Sequence, residues 1–371
     1  MTPLERTRLV YVAPAAGRSG VGDYADDFLA EIRPHFGDVR DRRIDTEGAE
    51  TVREVIDHCL AVRRLSTSDD RPTVVHFEQS SGSLSAFWAA ASLSRRSAIV
   101  TATVHDPPHP VWWPLKTRSV GAHRLLHHTV HYPTRPVHTA LQRRVTADRT
   151  LFALTNIGAQ SIRDSYPRAH PVAARIYVPQ RSPLPRLPER PLAVGLFGHV
   201  YGGKGFDLVT DLRRHIGPDI DIVVAGRGTE ALPDVPGVRV LGEVNGRAED
   251  AFFASVRLLL IPYRKHGAYG PSFPASSTIT RAFAYRTPVV CFTEGALAET
   301  VGRGGAVGAD TVIEMASVVN RVARDDERLT ELADDVHRVA EADSLPRCAE
   351  GFLNSWSALL ERRRGITAGL P

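Results

Sequence analysis

Short apolar runs alternate with helical patterns over nearly the whole chain, a periodicity that predicts parallel α/β layers. In the first half, Arg8–Ala13, Thr73–Phe77, Ile99–His105 and Arg149–Thr155 are rich in Val, Ile, Leu or Thr, as strands buried on both faces should be. Helical patterns lie between them, for example Gly22–Arg33 and Glu50–Arg64. Val178–Pro191 then carries Pro179, Pro183, Pro185, Pro188 and Pro191, which predicts a semi-rigid extended linker. A second series places strands at Ala193–Phe197, Asp221–Ala225, Val238–Leu241, Leu258–Pro262 and Pro288–Phe292. Its helices are predicted at Gly205–His215, Ala248–Ala254 and Thr278–Tyr285; the tail from Asp310 to Arg364 reads as mostly helical, with a break at Pro346. The expected fold is α/β, two Rossmann-like domains facing across a cleft, since ligands of such sheets bind beyond the carboxyl ends of the strands. Residues 1–180 form the first expected domain, 181–191 the hinge and 192–351 the second, with a helix at about 352–371 packing back on the first.

Composition changes this picture little. A length of 371 residues suits two domains, and 43% hydrophobic with 24% charged residues describes a soluble globular protein. No run approaches the roughly 18 to 20 apolar residues of a membrane-spanning helix. Leu9–Ala16 is too short and too soon followed by Asp23, Asp26 and Asp27 for a signal peptide. Cys59, Cys291 and Cys348 are widely spaced and odd in number, so neither a disulfide framework nor a zinc site is expected; a reduced, cytoplasmic setting is. A net charge of +4 does not point to nucleic acid. Only Lys116, Lys204 and Lys265 are lysines among 46 cationic side chains, so a lysine inside a loop stands out.

Four loops could carry chemistry. Between the first strand and helix runs Ala15–Tyr24, where Gly20 and Gly22 let the backbone approach a ligand and the helix start offers N–H groups to an anion; a tight turn without a ligand fits equally. Gly198-His199-Val200-Tyr201-Gly202-Gly203-Lys204-Gly205 opens the second series, with glycines to wrap a pyrophosphate and Lys204 to neutralise it. His105 and Asp106 end a strand, as do His76 and Glu78 on the preceding one, and imidazole suits a sugar hydroxyl. In Pro262–Thr278, a polar loop leads to Ser276, Ser277 and Thr278, which suit either a helix cap or a phosphate.

Taken together, these loops resemble retaining glycosyltransferases of the GT-B fold, family 4, through nearly all of the chain. The resemblance is carried by Ser19-Gly20-Val21-Gly22-Asp23-Tyr24, Thr103-Val104-His105-Asp106, Leu196-Phe197-Gly198 through Lys204-Gly205, Ala225-Gly226-Arg227-Gly228, Val238-Arg239-Val240-Leu241-Gly242, and Thr287-Pro288-Val289-Val290 with Gly295 and Glu299. It implies transfer of a hexose-type sugar from a nucleotide diphosphate donor, UDP- or GDP-linked, with retention and without a bound metal or other cofactor. By that resemblance Lys204 holds the donor pyrophosphate and stabilises charge on the leaving nucleotide, and His105 contacts the transferred sugar. The donor set would comprise Gly20, Gly22, Gly198, His199, Gly203, Lys204, Gly226, Ser276, Ser277, Thr278 and Arg281. The chain departs from the family in two ways: Phe273 and Arg281 stand where it commonly has glutamates, and Tyr201 stands near its phosphate-loop arginine.

On the acceptor side, Asp23, Tyr24, His76, Glu78, Asp106, Trp112 and Trp113 are the expected contacts. Pro107–Thr150 holds seven Lys/Arg residues, six histidines and one acid, Asp148. Such a basic segment with paired tryptophans suits an anionic, lipid-linked acceptor and peripheral contact with the inner face of a membrane; a solvated helix-loop-helix with inward tryptophans is the competing expectation. Two other functions remain open at this level: an inactive homologue serving as a scaffold, motivated by Phe273 and Arg281, and a sugar-nucleotide epimerase of related fold.

Overall fold

The computed structural model describes residues 2–17, 19–94, 97–122, 124–264 and 271–368. Lys265 and the following part of the polar loop, through Gly270, lie outside the described residues. The chain divides into two compact units: Met1–Arg175 with Ser272–Ala275 and Leu345–Pro371, and Ile176–Pro271 with Ser276–Ser344.

The first unit is built from β1 (Arg8–Pro14), α1 (Gly20–Ile32), β2 (Asp38–Ile44), α2 (Val52–Ser66), β3 (Thr73–Gln79), α3 (Leu84–Ser92), β4 (Ile99–Val104), α4 (Arg118–Ala122), α5 (Arg124–Thr146), β5 (Thr150–Ala153), α6 (Asn156–Ser165) and β6 (His170–Ala173). All its strand pairs are parallel, in the order β2-β1-β3-β4-β5-β6. The second unit contributes β7 (Ala193–Phe197), α7 (Val209–His215), β8 (Asp221–Ala225), β9 (Val238–Val240), α8 (Arg247–Ala254), β10 (Leu258–Ile261), α9 (Ser277–Ala284), β11 (Val289–Phe292), α10 (Ala296–Arg303), β12 (Ala306–Ala309), α11 (Val312–Val322) and α12 (Asp326–Ala342). Its parallel sheet has the order β12-β11-β10-β7-β8-β9. The last helix, α13 (Leu345–Ala368), belongs to the first unit. Pro346 sits in its first turn, where a missing N–H costs nothing, so the break falls just before it.

Both sheets are the expected Rossmann-like layers. Three strands went unread: β2, β6 and β12, each at a sheet edge. An edge strand is covered less and needs few apolar residues, and the Asp38–Ile44 run has only Val39 and Ile44. The helix expected at Glu50 begins two residues later, because Thr51 and Glu54 form a reciprocal capping box: Glu54 N donates to Thr51 Oγ1 at 3.2 Å and Thr51 N to Glu54 Oε2 at 2.6 Å.

Register decides which side chains share a face of the first sheet. Tyr11 lies beside His76 and His76 beside Thr101; Glu78 lies beside Thr103 and Thr103 beside Phe152. Their neighbours in sequence, Val10, Val12, Val75, Phe77, Val100 and Ala102, point to the other side, into an apolar layer closed by α2, α3 and α6. The face with Tyr11, His76 and Glu78 is polar yet sealed, with Phe28 of α1 and Phe352 and Trp356 of α13 packed on its rings.

The second sheet is covered on both faces. Leu212, Met315, Val319 and Leu329 close one side, and Phe252, Phe253, Ile279, Ala282 and Val336 the other. The proline-rich linker has little regular structure but is anchored by Arg190. Its buried guanidinium donates to the carbonyls of Pro185, Phe253, Val256 and Tyr285 and to Thr287 Oγ1 at 2.8 Å. Burial lowers its pKa to about 10, still cationic at neutral pH. An ammonium cannot span these five oxygens, so Arg190→Lys is expected to cost about 2 kcal/mol. Urea denaturation would show this as a lower midpoint with an unchanged slope.

Candidate functional site

The order of the second sheet reverses between β7 and β10, and open α/β sheets bind ligands at such a switch point. The loops leaving these two strands are interlocked. Arg264 N donates to Gly203 O at 2.9 Å, and a Cβ on Gly205 (φ +74°) would lie 2.3 Å from Pro262 O. Gly226 (φ +136°), after β8, packs so closely that its Cβ would fall 1.9 Å from Gly198 O. Glycine is therefore required at these turns by close approach of backbone to backbone.

This packing sets Lys204 on an aromatic bed. Its Nζ lies 3.9 Å from the centre of the Tyr263 ring and 5.2 Å from that of Tyr201. Burial lowers the Lys204 pKa, with Tyr201 opposing the shift, and no carboxylate pairs with the ammonium among the described residues. Tyr263 in turn donates its hydroxyl to Thr278 Oγ1 at 2.8 Å, tying the bed to the start of α9. Ser276 caps that helix by accepting from Ile279 N at 3.4 Å, and Gly198 lies close to Thr278. His199 is exposed beside them. A partly desolvated cation, a glycine-rich loop and a helix start thus lie together, an arrangement suited to an anion with several oxygens.

Of the donor residues expected in this unit, Gly198, Gly203, Lys204, Gly226 and Ser276–Thr278 cluster, while Arg281 is engaged elsewhere. Its guanidinium binds both oxygens of buried Glu249, at 2.9 and 2.7 Å. Phe273 lies in the segment grouped with the first unit, where its N donates to Pro107 O at 2.8 Å and its carbonyl accepts from Thr155 Oγ1 at 3.2 Å.

In the first unit the switch point falls between β1 and β3. His105, which follows β4, is 11% exposed, and its Nε2 lies 2.7 Å from Glu78 Oε2. Glu78 Oε1 accepts from Tyr11 O–H at 2.6 Å and is 3.2 Å from His76 Nε2. Burial alone would raise the Glu78 carboxyl, but the bonds from His105 and His76 hold it well below the usual carboxylate range. Tyr24 sets its ring edge-on to His105 at 5.2 Å.

Three expected contacts need correction. His76, Glu78 and Trp113 are buried and cannot touch an acceptor directly; Trp113 instead donates its indole N–H to His138 Nε2 at 3.2 Å. The two tryptophans divide: Trp112 is 38% exposed, Trp113 2%. Asp106 and Asp23 shape loops, accepting from Ser81 N and Gly17 N, both at 2.8 Å. Gly22 lies where a Cβ would meet Ala15 O at 2.2 Å, whereas Gly20 has open space. Sequence reading missed Tyr11, Tyr263, Thr101 and Trp356 as parts of these sites, because no local pattern marks an aromatic ring as the bed of a distant cation. Among the described residues, no group of three or more His, Cys, Asp or Glu side chains is placed to hold a metal, and no helix is long and apolar enough to cross a membrane.

A family described as "Glycosyl transferases group 1" matches residues 192–325. No curated protein sequence matches the chain significantly. Among solved structures, the Anabaena protein HepE in complex with UDP and glucose is similar, with 13% identity, a TM-score of 0.65, and coverage of 95% of this chain and 99% of that one. A structure from E. coli, described as trehalose-6-phosphate bound with UDP-2-fluoro glucose, is 11% identical, with a TM-score of 0.62 and coverage of 94% and 99%. AviGT4, a glycosyltransferase involved in avilamycin A biosynthesis, is 14% identical, with a TM-score of 0.57 and coverage of 95% and 98%. At such identities the likeness establishes the fold: two Rossmann-like domains of the GT-B type.

Proposed function

We propose that this chain is a glycosyltransferase that takes a hexose-type sugar from a nucleotide diphosphate donor, a uridine nucleotide first among the candidates. The observation that carries the reading is Lys204, a partly desolvated cation without a carboxylate partner among the described residues, at the switch point of the second sheet. Negative charge grows on the leaving nucleotide diphosphate as the glycosidic bond breaks, and an ammonium already held in place stabilises it without reorganisation. The family match over the second unit and the UDP ligands of the Anabaena and E. coli structures support this choice. In this reading His105 meets the transferred sugar, the stereochemistry is retained, and no metal takes part. The acceptor is a sugar or glycolipid bound by the first unit, whose exposed Trp112 and basic 107–150 segment suit an anionic surface.

A panel of UDP, GDP and ADP sugars in a thermal-shift assay tests the donor. One nucleotide series is expected to stabilise the protein, by about 2.7 kcal/mol at a hundredfold excess over Kd. No shift from any nucleotide, together with no product, would remove the reading. One observation favours a second reading, a non-catalytic binding partner: Phe273 and Arg281 occupy the glutamate positions, and Arg281 is held by Glu249. Repeated product turnovers from a purified donor would exclude it.

A further inference from the structure

The buried face of the first sheet holds a chain of hydrogen bonds whose direction can be worked out from its ends. Trp356 Nε1 donates to Thr101 Oγ1 at 3.1 Å, and an indole N–H has no acceptor form. With one of its two lone pairs so engaged, Thr101 Oγ1 still offers its proton to His76 Nδ1, 2.9 Å away. The Glu78 carboxylate can only accept, so His76 Nε2 carries a proton, shared between Glu78 Oε1 at 3.2 Å and Thr103 Oγ1 at 3.0 Å, and in the neutral ring Nδ1 accepts from Thr101. Tyr11 O–H reaches the same Oε1 at 2.6 Å. Donors thus converge on a fully buried carboxylate that can only accept. Its other oxygen, Oε2, lies 2.7 Å from His105 Nε2, and two acceptors cannot share that contact.

We propose that Glu78 is a positioning residue that holds the proton of His105 on Nε2, so that in the neutral ring Nδ1 is left as an acceptor for a ligand hydroxyl, with Trp356 of α13 at the far end of the relay. His105 is then selective in a defined sense: it takes a ligand group that carries an O–H, and a deoxy or O-methyl analogue at that position loses the bond. The identity of that ligand rests on the transferase reading above, whereas the tautomer is a property of the free protein. Ring packing holds the relay in place: Tyr11 stacks on His76 at 5.7 Å, and the Phe352 and Trp356 rings meet it edge-on at 5.9 and 5.2 Å.

The test is a long-range proton–nitrogen correlation on the full chain labelled with 15N-histidine, with the His105 signal assigned by its loss in H105Q. Wild-type protein should show His105 with Nε2 protonated and Nδ1 bare. Glu78→Gln keeps the shape but turns one acceptor into an N–H donor, so the tautomers of His105 should mix or invert. Trp356→Phe keeps the ring and removes only the donor; the His76 tautomer ratio should move, which a purely packing role would not produce. With a turned-over donor, E78Q should lower kcat roughly tenfold or more and leave the donor KM within about threefold. An Nδ1–H tautomer in the wild-type protein overturns the proposal, and so do tautomers unchanged in both variants. Should E78Q fail to fold, the wild-type and W356F spectra decide by themselves. A tautomer that shifts as stated, in a protein that turns over no sugar nucleotide, would keep the positioning role and reject the transferase.

Discussion

Lys204→Met is expected to weaken UDP binding by about 3 kcal/mol, roughly 150-fold, while leaving the fold intact. Methionine keeps most of the length and the apolar stem, so the side chain still fills the place beside Tyr263 while the charge and its contact with the ring are removed. In the ligand-free protein the change should be neutral or slightly stabilising. The sign follows from the lowered pKa: burial penalises the charged form, and methionine carries no such penalty. Bound nucleotide reverses the balance, because its phosphates then lose a cation in a partly dry site. Arginine should restore only part of the affinity, since a planar guanidinium stacked on Tyr263 presents its donors at a different place. Calorimetric titration with UDP, beside thermal melting of the unliganded variant, measures both halves. Affinity retained within threefold would show that Lys204 is not the phosphate ligand.

The second large effect concerns the backbone under that site. Gly226→Ala should destabilise the second unit by about 3 kcal/mol or more, among the heaviest costs of a single methyl group. Two strains add: φ of +136° is a region that side-chain-bearing residues rarely adopt, and the new Cβ would fall 1.9 Å from Gly198 O. Neither neighbour can yield easily, because Gly198 N is bonded to Ala225 O at 3.0 Å and Gly226 N to Gly242 O at 2.7 Å. Gly20→Ala is the control. That glycine opens α1 with nothing within 4 Å of its Cβ position, so alanine there should be neutral or stabilise by about 0.5 kcal/mol. Urea midpoints of the two variants should separate widely; similar midpoints would mean that the Gly198–Gly226 crossing is not as described.

Much of the fold was legible because its signals are local. A buried parallel strand must be a short apolar run, and β1, β3, β4, β7, β8, β10 and β11 all read that way. The edge strands β2, β6 and β12 did not, since an edge is only partly buried and its composition resembles a loop. Glycine positions were equally plain. Gly198, Gly203 and Gly205 after β7 and Gly226 and Gly228 after β8 have positive φ, and such residues announce a turn from the sequence alone.

The sites were legible only at the level of position. Lys204 stood out by rarity and His105 by its place at a strand end, and both occupy such places in the structure. Nothing local distinguished Trp112 from Trp113; only the packing of α5 buries one and exposes the other. Arg281 read as a donor contact until folding brought Glu249 to it, 32 positions away. Trp356 and Thr101 are 255 positions apart. The sequence by itself determined the alternating layers, the glycine turns and the loops in which chemistry could sit, because each depends on backbone preferences over a few residues. Tertiary structure alone decided which aromatic ring carries Lys204, which carboxylate holds His105 and which cation is already spent. Those are energies of desolvated pairs, and they arise only when chain segments far apart in sequence exclude water from the same place.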